Sequence, residues 1–247
     1  MKQLKELCLK NKKYIIFDMD GTLIDSIGIW NKTDQKLIEK YGKKTIDLDY
    51  IQKERDDFLH NNQSSDIYLA FCKYLIRKYK FSIKDEHLLL EKRWELSGKI
   101  LEDEIDFKPD VVELILKLKK LNFVLILATM TTQVQLDIYS KKNKKMLKQM
   151  NIIDVFDYIT SKESVINKKP HPEIYNNIMN YYNAKPNECL IFEDSYTGVL
   201  ASKNAHIEVI NIYDKYADLN RDDINKITDY SINNYREFIN YVDLLYK

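Results

Sequence analysis

Two aspartates set two residues apart, Asp18 and Asp20, directly follow a short apolar run, Tyr14 to Phe17. The run reads as a buried strand. If the strand continues through the aspartates, side chains at i and i+2 share a face, and the two carboxylates repel each other in one pocket. Such a pair makes chemical sense around a divalent cation, or where one carboxylate attacks while the other carries a proton. Gly21-Thr22 follows, where the backbone can turn sharply and bring N–H groups close to an anion. The segment 17–26 by itself therefore points to phosphoryl chemistry on an aspartate.

Three further positions have matching chemistry. Thr129 comes directly after the apolar run 123–128, and Met130-Thr131-Thr132 follows it. A hydroxyl at a strand end, with N–H groups opening the next helix, holds a phosphate oxygen well. Lys169-Pro170-His171-Pro172 presents an ammonium on a loop stiffened by Pro170, and Pro172 suits a first helical turn. A fixed ammonium there neutralises charge on a nucleophilic carboxylate and a phosphoryl group. Glu193-Asp194-Ser195, after the run 189–192, adds hard oxygen ligands of the kind Mg²⁺ takes. Each of these three also has an ordinary structural reading, as a helix cap, a loop or a pair of dipole-compensating acids. Their joint order, each at the end of its own unit, is what favours chemistry.

The elements that must position these residues are legible as short apolar runs: 14–17, 123–128, 158–160, 189–192 and 208–212 read as strands. Helical patterns lie between the later ones, at 111–121 and in the stripe Ile174, Tyr175, Ile178, Met179 and Tyr182. Alternation of this kind predicts an α/β fold, Rossmann-like, with a mainly parallel sheet and ligands gathered at the strands' carboxyl ends. The first two strands are about a hundred residues apart, far beyond a simple crossover. That interval reads as helices over 31–41, 50–59, 66–80 and 85–101, with no proline until Pro109. The expected organisation is a catalytic core of 1–26 and 107–247 with an inserted all-helical domain, 27–106.

Bulk properties narrow the function classes. The 247 residues suffice for one large domain or two modest ones, and 45% hydrophobic with 31% charged content is that of a globular protein. A net charge of +1 provides no global field for nucleic acid or a membrane surface. Cys8, Cys72 and Cys189 have no metal-ligand spacing, as expected of a reducing compartment. The first residues lack a secretory pattern and the longest apolar run is too short for a bilayer, so a cytoplasmic location is expected. The Lys-rich run 141–148 reads as a solvated helix face.

The chain resembles the haloacid dehalogenase superfamily, in the branch of phosphoglycolate phosphatase-like and β-phosphoglucomutase-like proteins. The residues that carry the resemblance are Phe17 to Ser26, Ala128-Thr129, Lys169 to Tyr175, and Phe192 to Val199. The resemblance covers nearly the whole chain, including a helical insertion like that branch's mobile cap. One departure falls downstream, where Asn204-Ala205-His206 stands in place of the family's usual Ala-Gly, which weakens a turn rather than a catalytic role. The resemblance implies Asp18 as the nucleophile that forms an aspartyl-phosphate and as one of the metal's ligands. It implies Asp20 as the acid and base, with its main-chain carbonyl on Mg²⁺, and Thr129 and Lys169 as holders of the phosphoryl group. It implies Asp194 as a direct ligand of Mg²⁺, with Glu193 in support or as a further ligand.

The same resemblance separates branches. Dehalogenases and phosphonate-cleaving relatives lack the second aspartate, so Asp20 favours phosphate esters. Mutases typically carry a histidine five residues past the second-loop aspartate. Here that position is Trp30, which either walls the substrate pocket or belongs to the core of the first inserted helix. The expected activity is Mg²⁺-dependent hydrolysis of a small phosphorylated metabolite by a monomer or weak dimer. A phosphosugar mutase is the alternative enzyme, and a non-catalytic phospholigand-binding or partner-binding member is the alternative of another class.

Overall fold

The structure is a computed structural model that describes residues 3–62, 64 and 66–246. Met1, Lys2 and Lys247, expected in the core, and Gln63 and Ser65, expected in the insertion, lie outside the described residues. So do the side chains of Asp56, Leu59, His60 and Asn61. The chain divides into two compact units, with boundaries after Ser26 and before Ile105.

The larger unit begins with β1 (Tyr14–Phe17) and resumes past residue 104, after the helices of the smaller unit, α1 (Ile29–Leu37), α2 (Leu48–Asn61), α3 (Ile67–Tyr79) and α4 (Glu86–Asp103). It continues with α5 (Val111–Lys120), β2 (Val124–Ala128), α6 (Gln133–Lys141), α7 (Lys144–Gln149), α8 (Ile152–Val155), β3 (Tyr158–Thr160) and α9 (Glu173–Tyr182). It closes with β4 (Cys189–Glu193), α10 (Tyr196–Asn204), β5 (Glu208–Ile212), α11 (Arg221–Ile227), β6 (Tyr230–Ile232) and α12 (Tyr235–Leu245). The strands form one six-stranded parallel sheet in the order β3-β2-β1-β4-β5-β6. The order reverses at β1, where β2 lies on one side and β4 on the other. The carboxyl ends of those strands flank the switch point at which open α/β sheets bind ligands.

The central strands read as unbroken apolar runs because both faces are covered. On one face Ile16, Ile126 and Ile191 pack with Ile174, Tyr175 and Ile178 of α9 and Val199 of α10. On the other, Phe17 stacks on Phe192 at 4.7 Å, and Phe192 meets Phe238 of α12 edge-on at 5.0 Å. β6 has no counterpart among the strands expected from sequence. It is three residues long and carries a central serine, Ser231, so its apolar run is too short to stand out.

The first expected strand stops earlier than a continuing β-run through Asp20 requires. β1 ends at Phe17, the Asp18 N–H still donates to Phe192 O at 3.0 Å, and the chain then coils. Gly21 takes φ 80°, a left-handed conformation costly for a residue with a Cβ, and its N–H donates to Ile24 O. Asp18 and Asp20 are therefore not neighbours on one pleated face. The Asp25 N–H donates to Asp106 O and the Lys108 N–H to Leu23 O. The chain thus leaves and re-enters this unit along one antiparallel ribbon, which lets an insertion occur without disturbing the sheet.

The smaller unit, Ile27–Glu104, contains α1 to α4 around Leu37, Ile51, Phe71, Leu75, Ile76 and Leu89. Asp47, Asp66 and Asp85 cap α2, α3 and α4 by accepting backbone N–H bonds, which sets the starts of those helices. No described helix is long and apolar enough to cross a membrane.

Candidate active site

Four of the six residues singled out from sequence meet in one buried cluster. The Lys169 ammonium lies 2.6 Å from Asp18 Oδ1 and 2.7 Å from Glu193 Oε2. It also donates to Ala128 O at 3.3 Å, the last residue of β2. Carboxylate oxygens of Asp18, Glu193 and Asp194 lie within 4.8 Å of one another. Glu193 and Asp194 are each 1% exposed. Asp18 comes from the end of β1, the two acids from the end of β4, and Lys169 from the loop before α9. The parallel register, with Phe17 opposite Phe192, is what brings the first three together.

Each acid is held differently. Glu193 Oε2 accepts from Lys169 and from Tyr175 Oη, and Oε1 accepts from Ser195 N and Oγ. The carboxylate lies over Gly198 in the first turn of α10, where an added Cβ would fall 1.9 Å from Glu193 Cδ. Only glycine leaves room there. Asp194 Oδ1 accepts from Thr22 Oγ1 at 2.7 Å, whereas its Oδ2 is buried with no hydrogen-bond partner. Most buried carboxylate oxygens are satisfied, so an orphan in this place calls for a positive ligand.

The electrostatics agree. Burial, reinforced by the charge of Glu193, outweighs Lys169 and pushes Asp18 up to about 8. Burial, then Glu193 and Asp18, also raises Asp194 well above the usual carboxylate range. Burial alone would lower Lys169, but Asp18 and Glu193 more than reverse that and hold it charged. Three acids facing one ammonium are short of positive charge. A divalent cation, which oxygen ligands suit, fits the residues present.

Asp20 stands beside this cluster, outside the acidic group. Its Oδ1 accepts from Ser26 Oγ at 2.5 Å and its Oδ2 from Thr131 Oγ1. Thr129 is buried at the end of β2, where its N–H donates to Thr160 O and its Oγ1 accepts from Thr131 N at 2.9 Å. Thr129 thus shapes the turn that delivers Thr131 to Asp20. Sequence reading named neither Thr131, nor Ser26, nor Thr22 as a partner of the aspartates. All three are buried, but the signal available in the sequence was only their place inside or directly beside the motifs.

The Asn204–His206 turn, expected to be weakened, closes with His206 at φ 59° and its N–H on Lys203 O. A non-glycine residue takes the left-handed position that glycine usually fills. Trp30 lies in α1 with its ring 4.5 Å from the Arg93 guanidinium and edge-on to Trp94 at 5.3 Å, a packing role within the inserted unit.

Relatives agree with this architecture. The chain is 29% identical over 198 residues to the phosphorylated carbohydrates phosphatase of Thermotoga maritima, covering 79% of this chain and 82% of that one. It is 25% identical over 196 residues to hexitol phosphatase B of Escherichia coli, covering 79% and 81%. Its fold matches the crystal structure of CbbY from Rhodobacter sphaeroides in complex with phosphate, with a TM-score of 0.64, 20% identity, and coverage of 91% of this chain and 95% of that one. Residues 15–212 match the haloacid dehalogenase-like hydrolases as a family. With the parallel core, the helical insertion and the buried acid–lysine cluster, the chain belongs to the haloacid dehalogenase-like hydrolase family, as a phosphatase-type enzyme of its capped branch.

Proposed function

We propose that the protein is a Mg²⁺-dependent phosphatase that hydrolyses a small phosphorylated metabolite in two transfers through Asp18. The observation that carries this reading is the buried Asp18–Lys169–Glu193–Asp194 cluster with Asp194 Oδ2 unpartnered. Asp18 and Asp194, with the main-chain carbonyl of Asp20, would hold the cation, which when bound supplies positive charge to screen a carboxylate from an anionic phosphoryl group. Glu193 has both oxygens engaged by Lys169, Tyr175 and Ser195, so its part is to fix Lys169.

In the first transfer a carboxylate oxygen of Asp18 attacks phosphorus, the ester P–O bond breaks, and Asp20 gives its proton to the departing alkoxide. In the second, water attacks the aspartyl-phosphate, Asp20 takes the water's proton, and the bond to Asp18 breaks to release inorganic phosphate. Lys169 and Thr129 hold phosphoryl oxygens in both. Ser26 and Thr131 keep the Asp20 carboxylate in place between its two tasks. Similarity to proteins named for phosphorylated carbohydrates and hexitols supports a small phosphorylated metabolite as the substrate. Trp30 at the position where mutases carry a histidine supports hydrolysis over isomerisation.

The test is phosphate release from p-nitrophenyl phosphate and from a panel of phosphorylated metabolites, with Mg²⁺ present. Turnover should vanish in Asp18→Asn. Activity that survives this substitution removes Asp18 as nucleophile, and interconversion of sugar phosphate isomers without free phosphate replaces hydrolysis by mutase action.

A further inference from the structure

We propose that Asn211 is a positioning residue for the acid pair Glu193-Asp194, and that Arg221 holds Asn211 in that task. The inference rests on the phosphatase reading above, since it concerns the carboxylates that would face the cation. β5 is an apolar strand, Glu208-Val209-Ile210-Asn211-Ile212, in which Asn211 is 1% exposed. A buried amide in such a run needs partners, because an unpaired one is costly.

Asn211 sits in register with Glu193 of β4. Its Nδ2 donates to Glu193 O at 3.0 Å and to Asp194 O at 3.1 Å. These two carbonyls lie where β4 ends, so the side chain extends the ladder by one step beyond its last strand residue. Two successive peptide planes are thereby fixed on either side of Asp194. With Thr22 holding Oδ1, the remaining freedom of that carboxylate is small, and Oδ2 stays aimed at the cluster.

The orientation of the amide is itself determined. Arg221 Nη1 donates to Asn211 Oδ1 at 2.9 Å, which leaves the NH₂ group for the carbonyls. Arg221 Nη2 donates to Asp214 O at 2.7 Å, and its guanidinium lies 4.7 Å from the Tyr213 ring centroid. Only a side chain with two N–H donors and one acceptor at this length satisfies all three partners. Leucine matches the volume and offers nothing, while aspartate offers two acceptors to two acceptors.

The experiment compares the full-length unsubstituted protein with Asn211→Leu and Arg221→Met. Two quantities are read: the Mg²⁺ concentration giving half-maximal hydrolysis of p-nitrophenyl phosphate, and the Mg²⁺-induced rise in Tm without substrate. Asn211→Leu should raise the half-maximal Mg²⁺ about tenfold or more, the loss seen when partners behind metal ligands are removed. Arg221→Met, on a partly exposed side chain, should raise it by about threefold and is the variant to rely on if Asn211→Leu does not fold. KM for the ester at saturating Mg²⁺ should stay within about twofold, because neither residue meets substrate. Folded variants with lowered Tm but an unchanged Mg²⁺ midpoint would show a purely structural role and overturn the proposal. An unsubstituted protein indifferent to Mg²⁺ in both readouts overturns the underlying reading, and this inference with it.

Discussion

Two buried charge clusters, one in each unit, follow opposite rules. In the inserted helices Asp34 and Arg93 form a bidentate pair, Nε to Oδ1 at 2.7 Å and Nη2 to Oδ2 at 3.0 Å. The pair is one charge against one, and both carboxylate oxygens are used. Arg93 Nη1 lacks a hydrogen bond, but the guanidinium lies against the Trp30 ring. In the core, three acids face one ammonium, and an oxygen of Asp194 is left over. The first arrangement is balanced in charge, and it ties α1 to α4. The second is open and short of positive charge, which marks a place that a ligand completes. Buried charge alone is therefore no sign of chemistry, and neither is one orphaned polar atom, which each cluster has; an imbalance of charge is.

The comparison can be broken first at Gly198. A Cβ there collides with Glu193, which must move and release Lys169. Gly198→Ala is expected to lower kcat with p-nitrophenyl phosphate by about a hundredfold or more, an effect of the size seen when one preorganised electrostatic group is lost. Retained kcat would mean that Glu193 does not hold Lys169 for the reaction.

The inserted pair gives the next test. Arg93→Met or Asp34→Leu alone leaves a buried charge without its partner and should cost about 3–5 kcal/mol in urea unfolding. The double substitution should recover most of that loss, because a balanced pair can be replaced by apolar side chains of similar size. In the core, Lys169→Met with Glu193→Leu should instead remain inactive however stable it is. Recovery of activity in that double variant would erase the distinction between the two clusters.

The smallest effect is a ligand shift. Millimolar Mg²⁺ should raise Tm by a few degrees, roughly what binding well above Kd provides. Asp194→Asn, which removes a charge and keeps the shape, should abolish the rise while leaving the metal-free Tm unchanged or higher. A full Tm response in that variant would move the cation away from Asp194.

Much of the core was legible because its signals are local. Apolar runs ending in Asp18, Thr129 and Glu193-Asp194 mark strands whose carboxyl ends lie near β1 once the sheet is parallel. The inserted helices were legible as a long interval without proline, and the structure adds that Asp47, Asp66 and Asp85 cap α2, α3 and α4. β6 was missed because Ser231 interrupts its three-residue run, whereas β3, equally short, opens with the unbroken apolar pair Tyr158-Ile159. The strand ends at Phe17, as its apolar run does, so the condition for the two opening aspartates to share one pleated face is not met. Whether a strand continues past Phe17 depends on the Gly21 turn and on Thr131 and Ser26, which engage Asp20 from different segments. Asn211 was invisible in function because its partners, two main-chain carbonyls, have no side-chain signature.

Residue type and spacing by themselves determined the groups on offer: a carboxylate at a strand end, a second one two residues on, a hydroxyl, a lysine and a further acid pair, in an α/β chain with a helical insertion. These are properties of single short segments, and short-range physics expresses them. Tertiary structure alone decided which of those groups meet, since Asp18 and Lys169 are 151 positions apart and are joined only by the sheet's order and register. It also separated Asp20 from the acidic cluster, gave Glu193 to Lys169, and left one oxygen of Asp194 without a partner. That last feature is a balance of charges and hydrogen bonds drawn from several strands, and it exists only once the strands are packed side by side.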